Sequence, residues 1–252
     1  MNQISQEAVY ILNRRAYKES SLLLDVISPN YGRLSIIANG ALKSKKGWSA
    51  MLQVFQPLLM TWVGKSSLKT LVSVDAPSIP IVLRGRRLFS AYYLNELLVK
   101  LLPQDQTFSN NTSALFINYA KSLEDLATAS ELEIPLREFE YHLLSDLGVL
   151  PDLSNDVNGN SIEADGWYQL IPSMGFTPIS QTKLNGQAPH SASYLGSYLI
   201  KFADLSTEMY SDKQFMLQIK GLMRILIQGL LGGQELKSRA LFQTYQPFRS
   251  SK

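Results

Sequence analysis

The 252-residue chain contains no cysteine. This absence excludes disulfides, cysteine nucleophiles and every zinc site that uses sulfur ligands. Histidine is scarce too. The chain contains two, His142 and His190, and they lie in different regions. No group of His, Asp and Glu has the spacing of a metal site, and no Ser lies in a nucleophile-elbow motif. We therefore predict no catalytic residues, no metal, no cofactor and no enzymatic activity.

The chain also lacks a long apolar run. No stretch approaches the roughly 20 apolar residues that a membrane-spanning helix needs. The first ten residues, MNQISQEAVY, do not have the pattern of a signal peptide. Hydrophobic residues make up 45% of the chain, which is enough to fill the core of a globular protein. We expect a cytoplasmic protein that makes no contact with membranes.

Acidic residues are few in the first third of the chain. Residues 1–87 contain twelve Lys and Arg but four Asp and Glu, a balance of +8, whereas the remaining 165 residues contain 12 basic and 17 acidic side chains. A basic segment of this kind indicates a surface that faces a polyanion such as nucleic acid. Chance clustering on a solvated surface is the alternative.

Turn residues divide the first 80 residues into short β-type runs. Ser28-Pro29-Asn30-Tyr31-Gly32 separates two such runs, Gly64-Lys65-Ser66-Ser67 separates two more, and Pro77 and Pro80 end the region. About five strands in roughly 75 residues predict a small closed barrel of the OB type, with the SH3-like barrel as the alternative. Gly64-Lys65-Ser66 resembles the end of a phosphate-binding loop. However, Leu59 occupies the place of the earlier Gly and a strand should follow, so we do not assign nucleotide binding.

From Leu83 onwards, apolar residues recur at three- and four-residue steps, which predicts helices. Residues 151–190 interrupt this pattern with turn-forming residues and one short strand-like run, Trp167–Ile171. We therefore predict an α+β fold, in which an N-terminal OB-fold β-barrel is followed by a helical domain with a small irregular insertion. The predicted domains are residues 1–80 for the barrel, 81–150 with 191–252 for the helices, and 151–190 for the insertion.

Basic residues with polar neighbours in the barrel region should be exposed to solvent. An OB-type barrel can bind single strands through a positive groove and aromatic side chains that stack on bases. Lysines contact phosphates without base specificity, so we expect sequence-tolerant binding that weakens steeply with salt. The candidate DNA-binding residues are Arg14, Arg15, Lys18, Arg33, Lys43, Lys45 and Lys46. The available aromatic residues are Tyr10, Tyr17, Tyr31, Trp48 and Trp62, among which core packing is favoured for Trp62 and remains equally open for Tyr17 and Tyr31.

Several longer stretches resemble one known family. They are ESSLLLDVISPNYGRLSIIANGALKSKK (Glu19–Lys46), LQVFQPLLMTWVGKSSLKTL (Leu52–Leu71), YYLNELLVKLL (Tyr92–Leu102), PLREFEYHLLSDLG (Pro135–Gly148) and LKSRALF (Leu236–Phe242). In this order, and most specifically in the first stretch, the chain resembles the RecO family of bacterial recombination mediators.

The resemblance implies an OB-fold, a helical bundle and a zinc-finger-like subdomain inserted between helices. It implies a non-enzymatic role in recombinational repair, in the RecFOR pathway at the nucleoid. That role comprises binding single- and double-stranded DNA, annealing complementary strands and helping to load recombinase onto DNA coated with single-strand-binding protein. The implied partners are RecR and the acidic C-terminal tail of single-strand-binding protein.

One departure from the family concerns zinc. Many relatives hold zinc through four cysteines in the region that matches residues 151–190, whereas this chain has none. We expect packing to hold the subdomain here, through Trp167, Tyr168, Leu170, Ile171 and Phe176.

The resemblance also implies that Arg137, in the LREFE motif, is the key residue of a pocket for the tail peptide. An Arg offers two parallel hydrogen bonds to a carboxylate such as the one that ends the tail. Leu94, Leu98 and Leu143 are the candidate apolar neighbours. Alternatively, Arg137 pairs with Glu133 or Glu140 of its own helix, and the leucines pack in the core. Two other functions stay open: a barrel that binds RNA or another protein, and an enzyme that uses residues 151–190.

Overall fold

The computed structural model describes residues 3–45, 47–104, 112–180, 192–206 and 210–244. The chain forms two compact units, the first made of Met1–Leu136 and Glu235–Lys252 and the second of Arg137–Gln234. The finer domain boundaries at residues 80, 150 and 190 stay a prediction. In chain order, the α-helices of the described residues are α1 (Trp48–Met51), α2 (Arg86–Leu101), α3 (Thr112–Thr128), α4 (Glu133–Asp146), α5 (Gly196–Ala203), α6 (Lys213–Leu230) and α7 (Lys237–Thr244).

The first unit contains a closed barrel of five strands. These are β1 (Gln3–Tyr17), β2 (Ser21–Ser28), β3 (Gly32–Ala38), β4 (Pro57–Val63) and β5 (Leu68–Asp75). Their order around the barrel is β1-β2-β3-β5-β4, and β4 pairs with β1 to close it. The β3–β5 pair is parallel and the other pairs are antiparallel. This order confirms the predicted N-terminal OB-fold barrel, and the helices that follow it confirm the α+β class.

Alternation of side chains explains why these residues form a barrel. In β3, Leu34, Ile36 and Ala38 are buried, whereas Ser35 and Ile37 between them are only partly buried. The long strand β1 pairs with both of its neighbours because two irregularities in its register let it bend, one between Ile4 and Glu7 and one between Ile11 and Asn13. Buried apolar side chains from all five strands fill the interior, and they include Val9, Leu24, Ile36, Met60, Trp62 and Leu71.

One buried amide joins β1 to the helices of the first unit. Leu12 lies at the irregularity of β1, between the residues that pair with β2. Asn95 of α2 donates from Nδ2 to the carbonyl oxygen of Leu12 (2.7 Å), and its Oδ1 accepts from the hydroxyl of Tyr119 on α3 (2.5 Å). Burial raises the pKa of Tyr119 well above its ordinary value, so this hydroxyl keeps its proton and can donate. A single amide thus satisfies buried polar groups on two other elements.

The next residue, Glu96, holds the C-terminal helix of the same unit. Its carboxylate accepts from the backbone N–H of Lys237 (2.9 Å), the backbone N–H of Ser238 (2.8 Å) and the Ser238 hydroxyl (2.7 Å). The first N–H groups of a helix have no partner within it, and negative charge is favourable there. Partial burial alone would raise the pKa of Glu96, but hydrogen bonds from Ser238 and Lys237 outweigh it and hold the pKa below its ordinary value.

The second unit combines helices with a small sheet. The strands β6 (Trp167–Ile171), β7 (Gly175–Pro178) and β8 (Ser193–Leu195) form an antiparallel sheet in the order β7-β6-β8. The strand predicted at Trp167–Ile171 is therefore confirmed. Of the residues expected to hold this region, Tyr168 and Phe176 are buried, and Trp167, Leu170 and Ile171 are partly buried.

Two carboxylates order the loop that precedes this sheet. Asp152 accepts from the backbone N–H groups of Ser154 (2.8 Å) and Asn155 (3.1 Å), and Asp156 accepts from those of Asn158 (2.8 Å) and Asn160 (2.9 Å).

Among the described residues, no group of three or more His, Cys, Asp or Glu is placed to hold a metal ion. None of the helices within the described ranges is long and apolar enough to cross a membrane.

We predict that Asn95→Ala lowers the free energy of unfolding by roughly 2–4 kcal/mol, because it leaves the Leu12 carbonyl and the Tyr119 hydroxyl without the amide that pairs with both. Urea unfolding of the two proteins measures the difference. The control is Asn13→Ala, since Asn13 is an exposed residue of the same strand β1 and should change the value by no more than about 0.5 kcal/mol. Equal effects of the two substitutions would contradict the bridging role of Asn95.

Candidate nucleic-acid interface

The predicted DNA-binding residues gather mainly at one end of the barrel, where β1 turns into β2. Arg14 and Arg15 lie near the end of β1, Lys18 lies in the turn, and all three are exposed. Lys43 and Lys45, also exposed, lie in the connection that follows β3. We call the set of Arg14, Arg15, Tyr17, Lys18, Lys43 and Lys45 the hairpin-end surface. Of the other two predicted basic residues, Arg33 is described below and Lys46 lies outside the described residues.

Backbone contacts bring the two parts of the hairpin-end surface together. The backbone N–H of Leu42 donates to the carbonyl oxygen of Ser20 in the β1–β2 turn (2.9 Å), which holds the short 3-10 helix Ala41–Lys43 against this turn. The guanidinium of Arg14 donates to the carbonyl oxygens of Ser49 (3.2 Å) and Leu52 (2.8 Å). Arg14 therefore ties β1 to α1 while its residue remains exposed.

The cations of this surface are not neutralised by ion pairs. Among the described residues, no Asp or Glu lies within ion-pair distance of Arg14, Arg15, Lys18, Lys43 or Lys45. Glu19 in the turn is the acidic residue next to them in the sequence, and it is exposed. Exposed cations without carboxylate partners produce a positive potential that attracts phosphates.

One aromatic side chain belongs to the hairpin-end surface. Tyr17 is 38% exposed, and the ammonium of Lys18 lies 5.4 Å from the centre of its ring. Of the other candidate aromatics, Tyr10 packs on Tyr119, and Trp48 and Trp62 pack in or against the barrel core. Tyr31 is partly exposed and contacts Trp62 edge-on. Tyr17 is therefore the aromatic residue best placed to stack on a base beside the cations.

Arg33 does not lie on this surface. Its side chain is only 13% exposed, and it forms an ion pair with Asp25 (3.2 Å) and donates to the carbonyl oxygen of Leu102 (2.9 Å). The register explains this placement, because β2 and β3 pair Ile27 with Arg33 and so bring Asp25 diagonally beside it. Its Nε has no hydrogen-bond partner among the described residues, but the side chain is largely buried and bonded to Asp25 and Leu102. Arg33 is therefore not part of the proposed interface.

The same contacts cover part of the outer face of β2 and β3. Besides the bond from Arg33 to Leu102, the side-chain amide of Gln104 donates to the Ser35 hydroxyl (2.8 Å). OB-folds commonly bind oligonucleotides on this face and on the β1–β2 and β4–β5 loops. Because the chain that follows α2 occupies the face around Asp25, Arg33 and Ser35, the loops are the accessible part.

Two family models match this chain, one for each part of its length. The model described as "Recombination protein O N terminal" matches residues 1–78, and the model described as "Recombination protein O C terminal" matches residues 83–240.

The chain belongs to the RecO family of DNA repair proteins.

Curated members of the RecO family are similar to the chain over almost its whole length. The DNA repair protein RecO of Coxiella burnetii (strain RSA 331 / Henzerling II) is 36% identical over 240 residues, which cover 95% of this chain and 98% of the relative. The DNA repair protein RecO of Pseudomonas aeruginosa (strain UCBPP-PA14) is 37% identical over 242 residues, or 96% of each chain. That of Aliivibrio fischeri (strain MJ11) is 37% identical over 235 residues, or 92% of this chain and 93% of the relative.

Arg137, the residue that the RecO resemblance assigns to a tail peptide, lies on α4 in the second unit. Its guanidinium forms an ion pair with Glu140 (2.7 Å), and the two side chains are 8% and 0% exposed. One of the two pairings considered from the sequence is therefore present. Among the described residues, the Nε of Arg137 has no hydrogen-bond partner, so the guanidinium retains a donor.

The three leucines predicted to surround a tail peptide are core residues in this conformation. Leu94 and Leu98 belong to α2 in the first unit and Leu143 belongs to α4, and each is 0% exposed. Fully buried side chains cannot contact a peptide without a change of conformation. Their role in binding a tail peptide stays a prediction.

Lys65 was not among the predicted residues, although it lies in the second loop that OB-folds use. It occupies the turn between β4 and β5 and is exposed. The sequence shows that Lys65 lies in a turn, between Gly64 and Ser66. This position indicates DNA binding only once the turn is known to join the fourth and fifth strands of an OB barrel.

We predict that Arg33→Met lowers the free energy of unfolding by roughly 1–3 kcal/mol, because Asp25 and the Leu102 carbonyl then lose their shared donor. It should leave the salt dependence of DNA binding unchanged. Arg15→Met is the matched variant, since Arg15 is exposed and should affect DNA binding but change stability by no more than about 0.5 kcal/mol. Urea unfolding and DNA titrations over a salt series measure both. A reduced salt dependence in Arg33→Met would place Arg33 in the interface after all.

Proposed function

We propose that this member of the RecO family is a non-enzymatic mediator that binds single- and double-stranded DNA and anneals complementary strands. It also helps to load recombinase onto DNA coated with single-strand-binding protein. The observation that carries the proposal is the hairpin-end surface. Its basic residues present exposed charge without carboxylate partners among the described residues; they are Arg14, Arg15, Lys18, Lys43 and Lys45. Its position on an OB-type barrel, and the family's place in DNA repair, support DNA as the polyanion.

The chemistry of this surface suits annealing. Flexible lysines neutralise phosphates and release their counterions without reading the bases. Two strands held through their phosphates repel each other less, while the edges of their bases stay available for pairing with each other. Tyr17 adds a stacking surface for an unpaired base, which is worth about 1–3 kcal/mol by substitution. Sequence-tolerant binding is also what a mediator needs, because it must act on any damaged site.

The recruiting part of the proposal involves RecR and the acidic tail of single-strand-binding protein. We assign the tail to Arg137, whose buried Nε has no hydrogen-bond partner among the described residues. Its side chain is only 8% exposed, so the peptide would reach it after a change of conformation, as for the leucines. A terminal carboxylate would share this arginine with Glu140 or displace it.

We predict that Lys43→Gln/Lys45→Gln weakens binding to a fluorescent single-stranded oligonucleotide. The slope of log K against log salt concentration should become shallower by about 1.4, since each lost phosphate contact to a single strand contributes about 0.7. The control is Lys121→Gln/Lys201→Gln, which removes the same charge from helices α3 and α5, neither of which contributes to the hairpin-end surface. Fluorescence anisotropy over a salt series gives the slopes, and annealing of complementary strands should slow in the same variant.

A binding constant that does not change with salt, or the absence of DNA binding, would refute the DNA interface. Equal losses in the variant and its control would show that net charge matters rather than this surface. Tighter binding to RNA than to DNA of the same sequence would favour the RNA-binding alternative.

We predict that the double variant Arg137→Met/Glu140→Gln loses binding to a tail peptide of single-strand-binding protein, by roughly tenfold or more, and keeps DNA binding. Removing both partners is the sharper design, because Arg137→Ala alone would leave Glu140 buried without its cation and destabilise the fold by about 3–5 kcal/mol. Peptide anisotropy and urea unfolding measure the two effects. If the double variant were stable and bound the peptide with unchanged affinity, the assignment of the tail-peptide site to Arg137 would be wrong.

A further inference from the structure

Helix α6 carries apolar side chains on both of its faces. One face is buried in the core of the second unit and consists of Phe215, Ile219, Leu222, Met223 and Ile227. On the other side, Leu217 is 62% exposed and Ile225 is 38% exposed. A helix on the surface of a globular protein normally shows polar residues opposite its buried face. Two large apolar residues there, two turns apart, call for an explanation.

A glycine separates these two exposed residues. Leu217, Gly221 and Ile225 follow one another at four-residue steps, so they lie on one line along the helix. A Cβ added at Gly221 would meet nothing within 4 Å, so the packing of the chain itself does not require a glycine. In a helix interior, glycine costs about 0.8–1.0 kcal/mol relative to alanine. Gly221 therefore leaves a gap on this line between the apolar side chains of Leu217 and Ile225, and we call this gap the notch.

The charge of α6 has one sign. The helix contains Lys213, Lys220 and Arg224, and no Asp or Glu between residues 213 and 230. Arg224 is exposed and lies one turn after Gly221 and next to Ile225. We call the set of Leu217, Gly221, Arg224 and Ile225 the outer face of α6. A ligand that covers its apolar residues would also meet positive charge.

We propose that the outer face of α6 binds an amphipathic helix of a partner protein, with apolar residues that enter the notch and acidic residues on their flanks. Rows of side chains at four-residue steps are the ridges that pack into the grooves of another helix. The distance from Leu217 to Ile225 is about 12 Å along the axis, or two turns, which matches the spacing of anchors on such a helix. This surface shares no residue with the hairpin-end surface and does not include Arg137, so the proposal does not rest on the proposed function.

Charge decides between an acidic helix and a second copy of this chain. In a two-fold pairing of outer faces, Arg224 and Lys220 of one copy would approach the same residues of the other. With no acidic residue on α6 to compensate, such a pair is repulsive. An acidic helix instead gains complementary charge on both sides of its apolar anchors.

The full-length protein is titrated into a fluorescent synthetic helix of about 20 residues, with Leu on one face and Glu on its flanks. A second helix has Lys in place of every Glu. We expect the acidic helix to bind and the basic helix not to bind. Gly221→Leu should weaken binding of the acidic helix by roughly tenfold, because it fills the notch. The open space at Gly221 and the higher helix propensity of Leu should keep the fold intact.

Two further variants sharpen the test. Ala114→Leu adds the same side chain at an exposed position of α3 and should leave the affinity unchanged. Lys213→Glu/Arg224→Glu should exchange the preference, so that the basic helix binds more tightly than the acidic one. Failure of the acidic helix to bind, equal binding of both helices, or full affinity in Gly221→Leu would overturn the proposal.

Sedimentation velocity tests whether the outer face of α6 binds a second copy of this chain. A dimer that dissociates in Gly221→Leu would show that this face pairs with itself and would overturn the assignment to a partner. If Gly221→Leu weakened binding of a tail peptide of single-strand-binding protein, the ligand of this surface would be that peptide and not an amphipathic helix, which would also overturn the proposal. A monomer whose tail-peptide affinity is unchanged supports the proposal.

Discussion

The carbonyl oxygen of Leu12 has to find a donor inside the protein, and much of the first unit follows from that requirement. The irregularity that lets β1 bend around the barrel takes Leu12 out of the pairing with β2, and Asn95 supplies the missing donor. This bond fixes α2 on the barrel, and Tyr119 then fixes α3 through the other end of the same amide. The chain after α2 in turn provides Leu102 and Gln104 to Arg33 and Ser35. As a result, the outer face of β2 and β3 is partly occupied and the end of the β1–β2 hairpin remains accessible.

Some basic residues of this unit donate to backbone carbonyl oxygens, as Lys69 does to Ser66 (2.6 Å), whereas others, such as Arg15, lie exposed. Three arginines donate to backbone carbonyl oxygens: Arg14 to Ser49 and Leu52, Arg33 to Leu102, and Arg87 to Leu126. A planar guanidinium can satisfy several acceptors in a fixed geometry, whereas an ammonium on a flexible stem is more strongly hydrated. Lys18, Lys43 and Lys45 accordingly lie exposed. The excess of positive charge in residues 1–87 therefore overstates the charge that is free to meet a phosphate, because Arg33 and Arg87 are partly buried and bonded within the fold, whereas Arg14 remains exposed.

Local patterns in the sequence were enough to predict the barrel, the helices and the strand Trp167–Ile171, because each depends on periodicity and turn residues within a short window. The position of Arg33 was not predictable in that way. Its pair with Asp25 depends on the register of β2 and β3, and its bond to Leu102 joins residues far apart in the chain. Exposed and buried apolar residues of α6 also share the same periodic pattern, so only the packing of the second unit shows that Leu217 and Ile225 remain outside it.

The attachment of α7 to Glu96 has a consequence for how the protein is made. The first unit draws its residues from both ends of the chain, so α2 leaves the ribosome long before the backbone groups of Lys237 and Ser238 that bind Glu96. During that interval the barrel strands can already associate, because their partners are close in sequence. The carboxylate of Glu96 has no hydrogen bonds from Lys237 and Ser238 until those residues have been translated. Completion of the DNA-repair protein's first unit is thus coupled to translation of the second unit, which lies between its two parts in the sequence.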